Sequence, residues 1–340
     1  MKAEALRGVT LNAQTIDGAV LAQTILAGDD HHRALMHKGR ILSARDWPVV
    51  ASSGVEELHI VRLEPGDVHE DEAAHRLAEI VAGPGVVRHD PIESQVRLSA
   101  AVNGIFEVDV PALQALNSVD DVSVFTLFDG QLVSKGKTVA GVKVTPFVVP
   151  AGRLETARQA VDGKQVVRVL AFKPMRVAIL VRERLEEAQR QKFQTSIDMK
   201  VSWFGSRITE IRYVADAVDA VQSAIGELLR NCDLLLTAGA NATDPLDPTL
   251  VALDRLGARM EKQGAPAHPG SAVWLAYMAE KPIFGVAACG MFSKATVLDL
   301  ILPRLFTGAR VTASDFNGLG HGGLLSKDMA FRFPPYGVDD

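Results

Sequence analysis

Cysteine is scarce in this chain, and its scarcity excludes two classes of small protein. Only Cys232 and Cys289 occur among the 340 residues, so the sequence offers neither a disulfide framework nor a multi-cysteine metal cluster. The N-terminus carries an acid at Glu4 and no apolar stretch behind it, which is unlike a signal peptide. We therefore expect a cytoplasmic protein.

Long apolar runs and an excess of basic residues are also missing. No run approaches the ~20 apolar residues that a membrane-spanning helix needs. The formal net charge is -5, whereas a nucleic-acid-binding surface requires a basic stripe. We expect neither a membrane nor a nucleic acid as partner. A small anionic ligand stays compatible with this charge, because a few local donors are enough to hold it.

Several standard catalytic and binding signatures are absent as well. No predicted strand is followed by the glycine-rich dinucleotide motif Gly-x-Gly-x-x-Gly, and neither a P-loop nor a Gly-x-Ser-x-Gly elbow occurs. Dinucleotide, P-loop and serine-hydrolase functions are therefore unsupported. The histidines His31, His32 and His37 match no standard metal-site spacing, so we interpret them as part of a solvated loop and predict no metal site.

What the second half of the chain does contain is a regular alternation of apolar runs and helical patterns. Apolar runs lie at residues 176–181, 208–214, 233–236 and 282–286. The first is continuous, as is typical of a parallel strand buried on both faces. Strands that alternate with helices predict a parallel sheet covered on both sides. We predict an α/β fold: a C-terminal three-layer α/β/α domain with a mostly parallel sheet, preceded by a β-rich N-terminal region.

Composition and turn signals divide the chain into five segments. We predict a small N-terminal α+β segment at 1–66, a helix with a β-rich domain at 67–150, a connecting helix and strand at 151–172, a ligand-binding α/β domain at 173–310 and a C-terminal tail at 311–340. Within the fourth segment a helix is predicted from 247 to 260.

The turn after the strand at 233–236 is the main candidate binding site. Its residues are nearly all small, so a ligand can reach backbone N–H groups, and the following helix start favours phosphate. We expect binding by Thr237, Gly239, Ala240, Asn241, Ala242 and Thr243.

Two carboxylates follow this turn, and their role is open. Asp247 precedes Pro248 and so has the favoured sequence of a helix N-cap. Asp244 lies three residues earlier and cannot cap the same helix. The pair could instead be catalytic, orienting a ligand or holding Mg²⁺ beside a phosphate.

Two further loops are predicted at the same edge of the sheet. One holds Pro269, Gly270 and Ser271. The other follows the strand at 282–286 and contributes Gly285, Ala287, Ala288, Cys289, Gly290, Ser293 and Lys294. Ser293 is expected to cap the next helix and Lys294 to reach an anion. Cys289 is either a ligand or nucleophile, or simply a packed side chain.

The order of these loops resembles the molybdopterin-binding domain of molybdopterin adenylyltransferases, molybdotransferases and competence-damage-inducible proteins. In that family a strand ends in Thr-x-Gly-Gly-x-Ser, followed by an Asp-containing helix start, a Pro-Gly loop and a turn Gly-x-Pro-Gly-Asn-Pro. The counterparts here are 237–242, 244–247, 269–271 and 285–290. The resemblance implies a molybdopterin or molybdenum-cofactor ligand, Asp247 and Asp244 as catalytic residues, and Mg²⁺ as a companion.

A finer resemblance extends over nearly the whole chain. Residues 62–74, 143–147 and 320–325 are similar to a bacterial group of molybdopterin-binding proteins, some of which carry a cytidylyltransferase domain for the cofactor. This resemblance implies a role in cofactor maturation or delivery, with a molybdoenzyme or a cofactor-loading enzyme as partner, and a homodimer.

The chain departs from the family pattern where a phosphate would lie. Ala240 replaces the second glycine of the Gly-Gly turn, and Ala287 and Ala288 replace the Pro-Gly pair. Each change adds bulk or removes a polar group. Three hypotheses stay open: a molybdopterin-binding maturation protein, a non-catalytic carrier, sensor or scaffold, and a Mg²⁺-dependent nucleotidyltransferase or pyrophosphatase.

Overall fold

The computed structural model describes residues 1–27, 33–182, 185–240 and 242–336. By its internal contacts the chain divides into two compact units. The first comprises residues 1–102, 106–129 and 133–169, and the second comprises 103–105, 130–132 and the chain from Leu170 onward. The finer five-part division stays a prediction.

The first unit is rich in short strands, as the sequence predicts for the N-terminal region. The strands of this part of the chain are β1 Lys2–Arg7, β2 Val20–Leu21, β3 Ile25–Leu26, β4 Ala34–Met36, β5 Glu57–Arg62, β6 Asp67–His69, β7 Val86–Arg88, β8 Gln95–Ala100, β9 Gly104–Val108, β10 Val122–Thr126, β11 Gln131–Val133, β12 Thr138–Val144, β13 Val148–Pro150 and β14 Val167–Ala171. The helices are α1 Ala13–Ile16, α2 Trp47–Ser52, α3 Glu70–Val81, α4 Val110–Asn117 and α5 Ala151–Ala160.

Two cores hold this unit together. Helix α3 is strongly amphipathic, and its residues Ala74, Leu77 and Val81 pack against the sheet of order β10-β12-β8-β7. A smaller core lies beneath the sheet of order β1-β5-β2. Strand β6 pairs with β13, with His69 opposite Val148. This pairing brings residues 62–74 beside 143–147, which are two of the segments that carry the finer resemblance.

The second unit is a three-layer α/β/α domain, which confirms the predicted fold class. Its strands are β15 Arg176–Val181, β16 Arg207–Tyr213, β17 Leu234–Ala238, β18 Arg259–Gln263, β19 Trp274–Met278 and β20 Lys281–Val286. Its helices are α6 Glu187–Trp203, α7 Val218–Asn231, α8 Pro248–Arg255, α9 Val297–Phe306 and α10 Ala313–Asn317.

The sheet has the order β16-β15-β17-β20-β19-β18. Its first four strands are parallel, β19 runs antiparallel to β20, and β18 runs antiparallel to β19. Alternate residues of β15 face opposite cores. Val177, Ile179 and Val181 belong to the core that includes α6 and α9, whereas Ala178 and Leu180 belong to the core that includes α7 and α8.

The helix predicted from 247 to 260 is shorter than expected. Helix α8 ends at Arg255, Gly257 adopts a positive φ of 71°, and the chain continues as strand β18. A positive φ suits glycine and stops a helix at little cost. Strands β18 and β19 were not predicted, because β18 is largely polar and because no helix separates β18, β19 and β20 as helices separate the other strands.

Candidate functional site

Parallel strand order brings the predicted loops to one edge of the second unit's sheet. Strands β17 and β20 are parallel neighbours, with Thr237 opposite Gly285, so the turns that follow them leave the sheet side by side. Strand β19 is antiparallel, and its first residue, Trp274, also lies opposite Gly285. The loop with Pro269 to Ser271 therefore enters the sheet at this same edge. Ligand crevices of open α/β sheets form outside such carboxyl ends.

Arg182 lies at the centre of this edge, directly after β15. Its side chain is 8% exposed and forms ion pairs with Asp216, which follows β16, and with Asp247, which is 2% exposed. The same guanidinium donates to the carbonyl oxygen of Gly239, with an N–O distance of 2.7 Å. One cation thus connects the carboxyl ends of three neighbouring strands. Arg is suited to this, because its planar fork presents five N–H donors.

Three residues at the carboxyl ends of these strands carry a buried polar atom without a hydrogen-bond partner among the described residues. The atoms are Nε of Arg182 and the hydroxyl oxygens of Thr237 in β17 and of Tyr213, the last residue of β16. Thr237 is only 2% exposed and lies in β17, two residues before Gly239. A buried donor or acceptor without a partner costs about 1–3 kcal/mol. Native proteins tolerate few such groups, and each requires an explanation such as a functional role.

The two aspartates that were predicted as catalytic residues make different local contacts. Asp247 is the N-cap of α8, and its Oδ1 accepts from the N–H of Thr249 at 2.8 Å, while its Oδ2 pairs with Arg182. Asp244 is exposed, and its Oδ1 accepts from the N–H of Leu246 at 2.9 Å. The buried carboxylate is thus engaged by a helix start and a guanidinium rather than directed outward.

The turn after β17 contributes small residues, as predicted. Gly239 has a φ of 87°, a conformation that glycine adopts without strain. Ala240 is half-buried, and Thr243 is exposed. Ala242 is buried, and its carbonyl accepts from the side chain of Gln263 at 2.6 Å. Asn241, also predicted to bind the ligand, lies outside the described residues.

The Pro269 loop is tied to the start of α9. The His268–Pro269 peptide bond is cis. The carbonyl of Pro269 accepts from the N–H of Val297 at 3.1 Å, and a side chain at Gly270 would meet that same nitrogen at 2.8 Å. Gly270 is buried and Ser271 is exposed. Ser271 and the half-buried Pro269 are therefore the residues of this loop that can meet solvent or a ligand.

The turn after β20 divides into buried and exposed positions. Gly285 lies under Trp274, and an added Cβ would come within 2.1 Å of the indole. Ala287 and Gly290 are buried, whereas Ala288 and Cys289 are exposed. Gly285 and Gly290 therefore serve close packing here. The thiol of Cys289 is accessible, unlike that of Cys232.

Ser293 does not cap the helix that follows, contrary to expectation. Helix α9 begins at Val297, and its capping box is formed by Thr296 and Asp299, whose Oδ2 accepts from both the N–H and the hydroxyl of Thr296 at 2.9 Å. A capping box requires an acid three residues after the cap, which Ser293 lacks. Its carbonyl instead accepts from Nζ of Lys200 at 2.7 Å.

A buried ion pair lies beneath this turn. Lys200 of α6 pairs with Asp299 of α9, and both side chains are fully buried. Burial lowers the pKa of Lys200, although Asp299 acts in the opposite direction. The Lys200 ammonium also lies 5.0 Å from the ring centre of Tyr336, whose own pKa is raised well above its usual value by burial. The exposed Lys294 donates to the carbonyl of Tyr336 at 3.2 Å.

Sequence reasoning missed Arg182, Asp216 and Lys200. The first two were detectable, because each is the first or an early charged residue after a predicted strand, where ligand sites of parallel sheets form. Lys200 also had a signal. It lies three residues after Ile197 and seven after Phe193, so helical spacing places it on the buried face of α6. A lysine on an apolar face indicates a buried partner.

From the sequence we predicted neither a metal site nor a membrane-spanning helix. In the residues that the structure describes, no group of three or more His, Cys, Asp or Glu side chains is arranged to hold a metal ion. Of the predicted solvated loop, His31 and His32 lie outside the described residues. None of the helices in the described ranges is long and apolar enough to cross a membrane.

Comparison with known proteins gives distant structural similarities. No family model matches the chain, and no curated protein matches it. Among solved structures it is similar to the molybdopterin biosynthesis protein MoeA of Pyrococcus horikoshii, with 13% identity over 71% of this chain and 79% of that one, at a TM-score of 0.32. Molybdenum cofactor biosynthesis protein B is 16% identical over 40% of this chain and 93% of its own length, at a TM-score of 0.31.

A third solved structure covers more of this chain. The molybdenum cofactor biosynthesis protein of Pyrococcus furiosus is 12% identical over 90% of this chain and 64% of its own length, at a TM-score of 0.25. At these levels of identity and superposition, the ligand and activity of this chain have to be argued from its own residues.

Proposed function

We propose that the second unit binds molybdopterin or its molybdenum form in the crevice at the carboxyl ends of β15, β16, β17 and β20. The chain would then act in the maturation or delivery of the molybdenum cofactor. The observation that carries this proposal is the pair of buried atoms without partners, Nε of Arg182 and the Thr237 hydroxyl. Both lie where the sheet opens onto small-residue turns.

A phosphorylated pterin suits both kinds of group at this edge. The N–H groups of its pyrimidine ring can donate hydrogen bonds to a carboxylate such as that of Asp216. Its ring carbonyl can accept a hydrogen bond from a guanidinium N–H. Its phosphate is suited to backbone N–H groups near Gly239 to Thr243, where a turn of small residues permits close approach. Arg182 and Thr237 would fix the orientation of the ligand, because each has hydrogen-bonding capacity left unused.

The engagement of Asp247 favours binding over turnover. A catalytic acid or metal ligand needs an oxygen directed at the substrate, whereas both oxygens of Asp247 already accept hydrogen bonds. The alanines at 240, 287 and 288, which replace residues of the family pattern, also favour binding over turnover. We therefore propose a carrier or delivery protein, with an activity in metal insertion or nucleotidyl transfer as the alternative that the test below separates.

The test is anaerobic titration of the purified protein with molybdopterin released from a molybdoenzyme. Thr237→Val removes the hydroxyl at nearly constant volume, and Arg182→Lys keeps the charge but removes Nε. Each is expected to raise Kd about tenfold, as the loss of one hydrogen bond to a charged or polar ligand implies. Thr156→Val, on an exposed helix of the first unit, is the matched control and should leave Kd unchanged.

Absence of binding by the wild-type chain, or equal affinity in all variants, would refute the proposal. Asp244→Asn separates binding from turnover. If this variant binds normally but loses a measurable release of phosphate or nucleotide that the wild type shows, the protein is a transferase or pyrophosphatase rather than a carrier.

A further inference from the structure

A groove on the second unit borders the turn after β20, on the side that faces α6. It has a volume of about 650 Å³ and runs between α6 and the turn after β20. Its lining includes Gln191, Lys192, Thr195, Met199, Phe292 and Lys294. The volume falls in the range of roughly 300–1,000 Å³ that is typical of small-molecule sites.

The charged side chains known to line this groove are positive. Lys192 and Lys294 both line it, and no acid is among the described residues that do so. Among the described residues, Lys294 contacts the carbonyl of Tyr336 and Lys192 lies over the ring of Phe292, and no ion pair of either ammonium group is found there. Two uncompensated cations beside one depression create a local potential that attracts anions, even though the chain as a whole is acidic.

The aromatic part of the groove is held in place from below. Phe292 is 38% exposed, and its ring makes an edge contact with the fully buried ring of Phe193 at 6.4 Å between centroids. The ammonium of Lys192 lies 5.8 Å from the centroid of Phe292. The buried ring of Phe193 thus supports the exposed ring of Phe292, and the Lys192 ammonium lies within cation–π distance of that exposed ring.

Lys294 is oriented in a comparable way. Its ammonium donates to the carbonyl of Tyr336 at 3.2 Å, which uses one of its three N–H donors. The other two are available to a ligand. Half-buried Met199 adds a polarizable apolar contact on the α6 side.

We propose that this groove binds a small organic anion with an aromatic body. The anionic group would lie between Lys192 and Lys294, and the aromatic body would pack on Phe292 and Met199. The groove shares the turn after β20 with the pterin crevice, but the proposal is argued from Lys192, Phe292 and Met199 and does not depend on the function proposed for that crevice. Carboxylates, sulfonates and phosphates share the required chemistry, and the aromatic contact distinguishes this ligand class from inorganic anions.

The test uses 8-anilinonaphthalene-1-sulfonate as the probe and titrates it into the full chain by fluorescence and calorimetry. Lys192→Ala and Lys294→Ala are each expected to raise Kd about tenfold, because each removes a charge-assisted contact. Phe292→Leu keeps an apolar side chain but loses the aromatic face, and a severalfold rise is expected. Lys164→Ala changes the net charge equally at an exposed position of the first unit and should change Kd less than twofold.

Two further titrations separate the ligand classes. The uncharged analogue N-phenyl-1-naphthylamine should bind more weakly than the sulfonate and with equal Kd in the wild type and the lysine variants. Inorganic phosphate alone should bind only in the millimolar range. The proposal is overturned if the sulfonate binds with unchanged Kd in Lys192→Ala and Phe292→Leu, if Lys164→Ala weakens it equally, or if phosphate binds as tightly as the probe.

Discussion

The guanidinium of Arg182 and the carboxylate of Asp247 form a buried ion pair that joins the end of β15 to the start of α8. The carboxylate of Asp247 accepts a hydrogen bond from a backbone N–H at the start of α8 and also neutralises the guanidinium of Arg182. The pair therefore shapes the crevice as well as the fold. It also makes Arg182 the residue on which both the stability of this edge and its proposed binding depend.

Removal of Arg182 alone should be costly. Arg182→Met leaves the buried carboxylate of Asp247 without its cation, and breaking such a pair typically costs about 3–5 kcal/mol. Urea unfolding followed by circular dichroism measures the loss. The double variant Arg182→Met/Asp247→Asn should recover much of it, because asparagine still caps a helix and no buried charge is left unpaired. A double variant as unstable as the single one would contradict this account.

The stability of the first unit should depend on pH through Glu70. Burial raises the pKa of this carboxyl above 4.5, so the folded chain holds its proton more tightly than the unfolded chain does. The stabilising contribution is complete below about pH 4.5 and is lost as pH rises through the folded-state pKa. Glu70→Gln should therefore match the wild type in acid and exceed it in stability near neutral pH.

Glu57 provides a control for this experiment, because its pKa is shifted in the opposite direction to that of Glu70. Hydrogen bonds from His59 and Arg7 lower its pKa, with the bond from His59 the larger cause. Its contribution is present above pH 4.5 and is lost as pH falls through the folded-state pKa. Glu57→Gln should thus be less stable than the wild type near neutral pH. Parallel pH profiles for the two variants would show that at least one of these carboxyls does not behave as its surroundings imply.

Gly285 should not tolerate a methyl group. An added Cβ would lie 2.1 Å from the indole of Trp274, which is itself fully buried. Overpacking of this kind typically costs about 1–3 kcal/mol. Gly226→Ala is the matched control, since it lies within α7 with no atom within 4 Å of its added Cβ, and alanine in a helix is favoured by about 0.5–1 kcal/mol. Thermal unfolding should move in opposite directions for the two variants.

The two cysteines should differ sharply in reactivity. Cys289 is exposed in the turn after β20, whereas Cys232 is buried and its pKa is raised by that burial. A disulfide reagent such as dithionitrobenzoate should label one thiol rapidly in the folded protein and two after denaturation. Cys289→Ser should abolish the rapid phase. Rapid labelling of that variant would place Cys232 at an accessible position and contradict the packing.

Much of the second unit was predictable because local patterns encode it. The continuous apolar run at 176–181 predicted a central strand, and the small residues after β17 predicted a turn that leads to a helix. The loops at 237–243, 269–271 and 285–294 were correctly expected at one edge, since chain direction in a parallel sheet fixes which ends meet. Strands β18 and β19 were not predicted. Strand β18 is partly polar and lies at the edge of the sheet, and no helix separates β18, β19 and β20.

The sequence by itself determined the alternation of strands and helices, the small-residue turns and the N-cap of Asp247. Tertiary structure alone decided which distant groups meet. Arg182 pairs with Asp216 and Asp247, which lie 34 and 65 positions away in the sequence. Lys200 pairs with Asp299, which lies 99 positions away. Helix caps and turns follow from neighbours in sequence, whereas the partner of a buried charge depends on the order in which strands join the sheet. The desolvation of that charge then makes the partner obligatory.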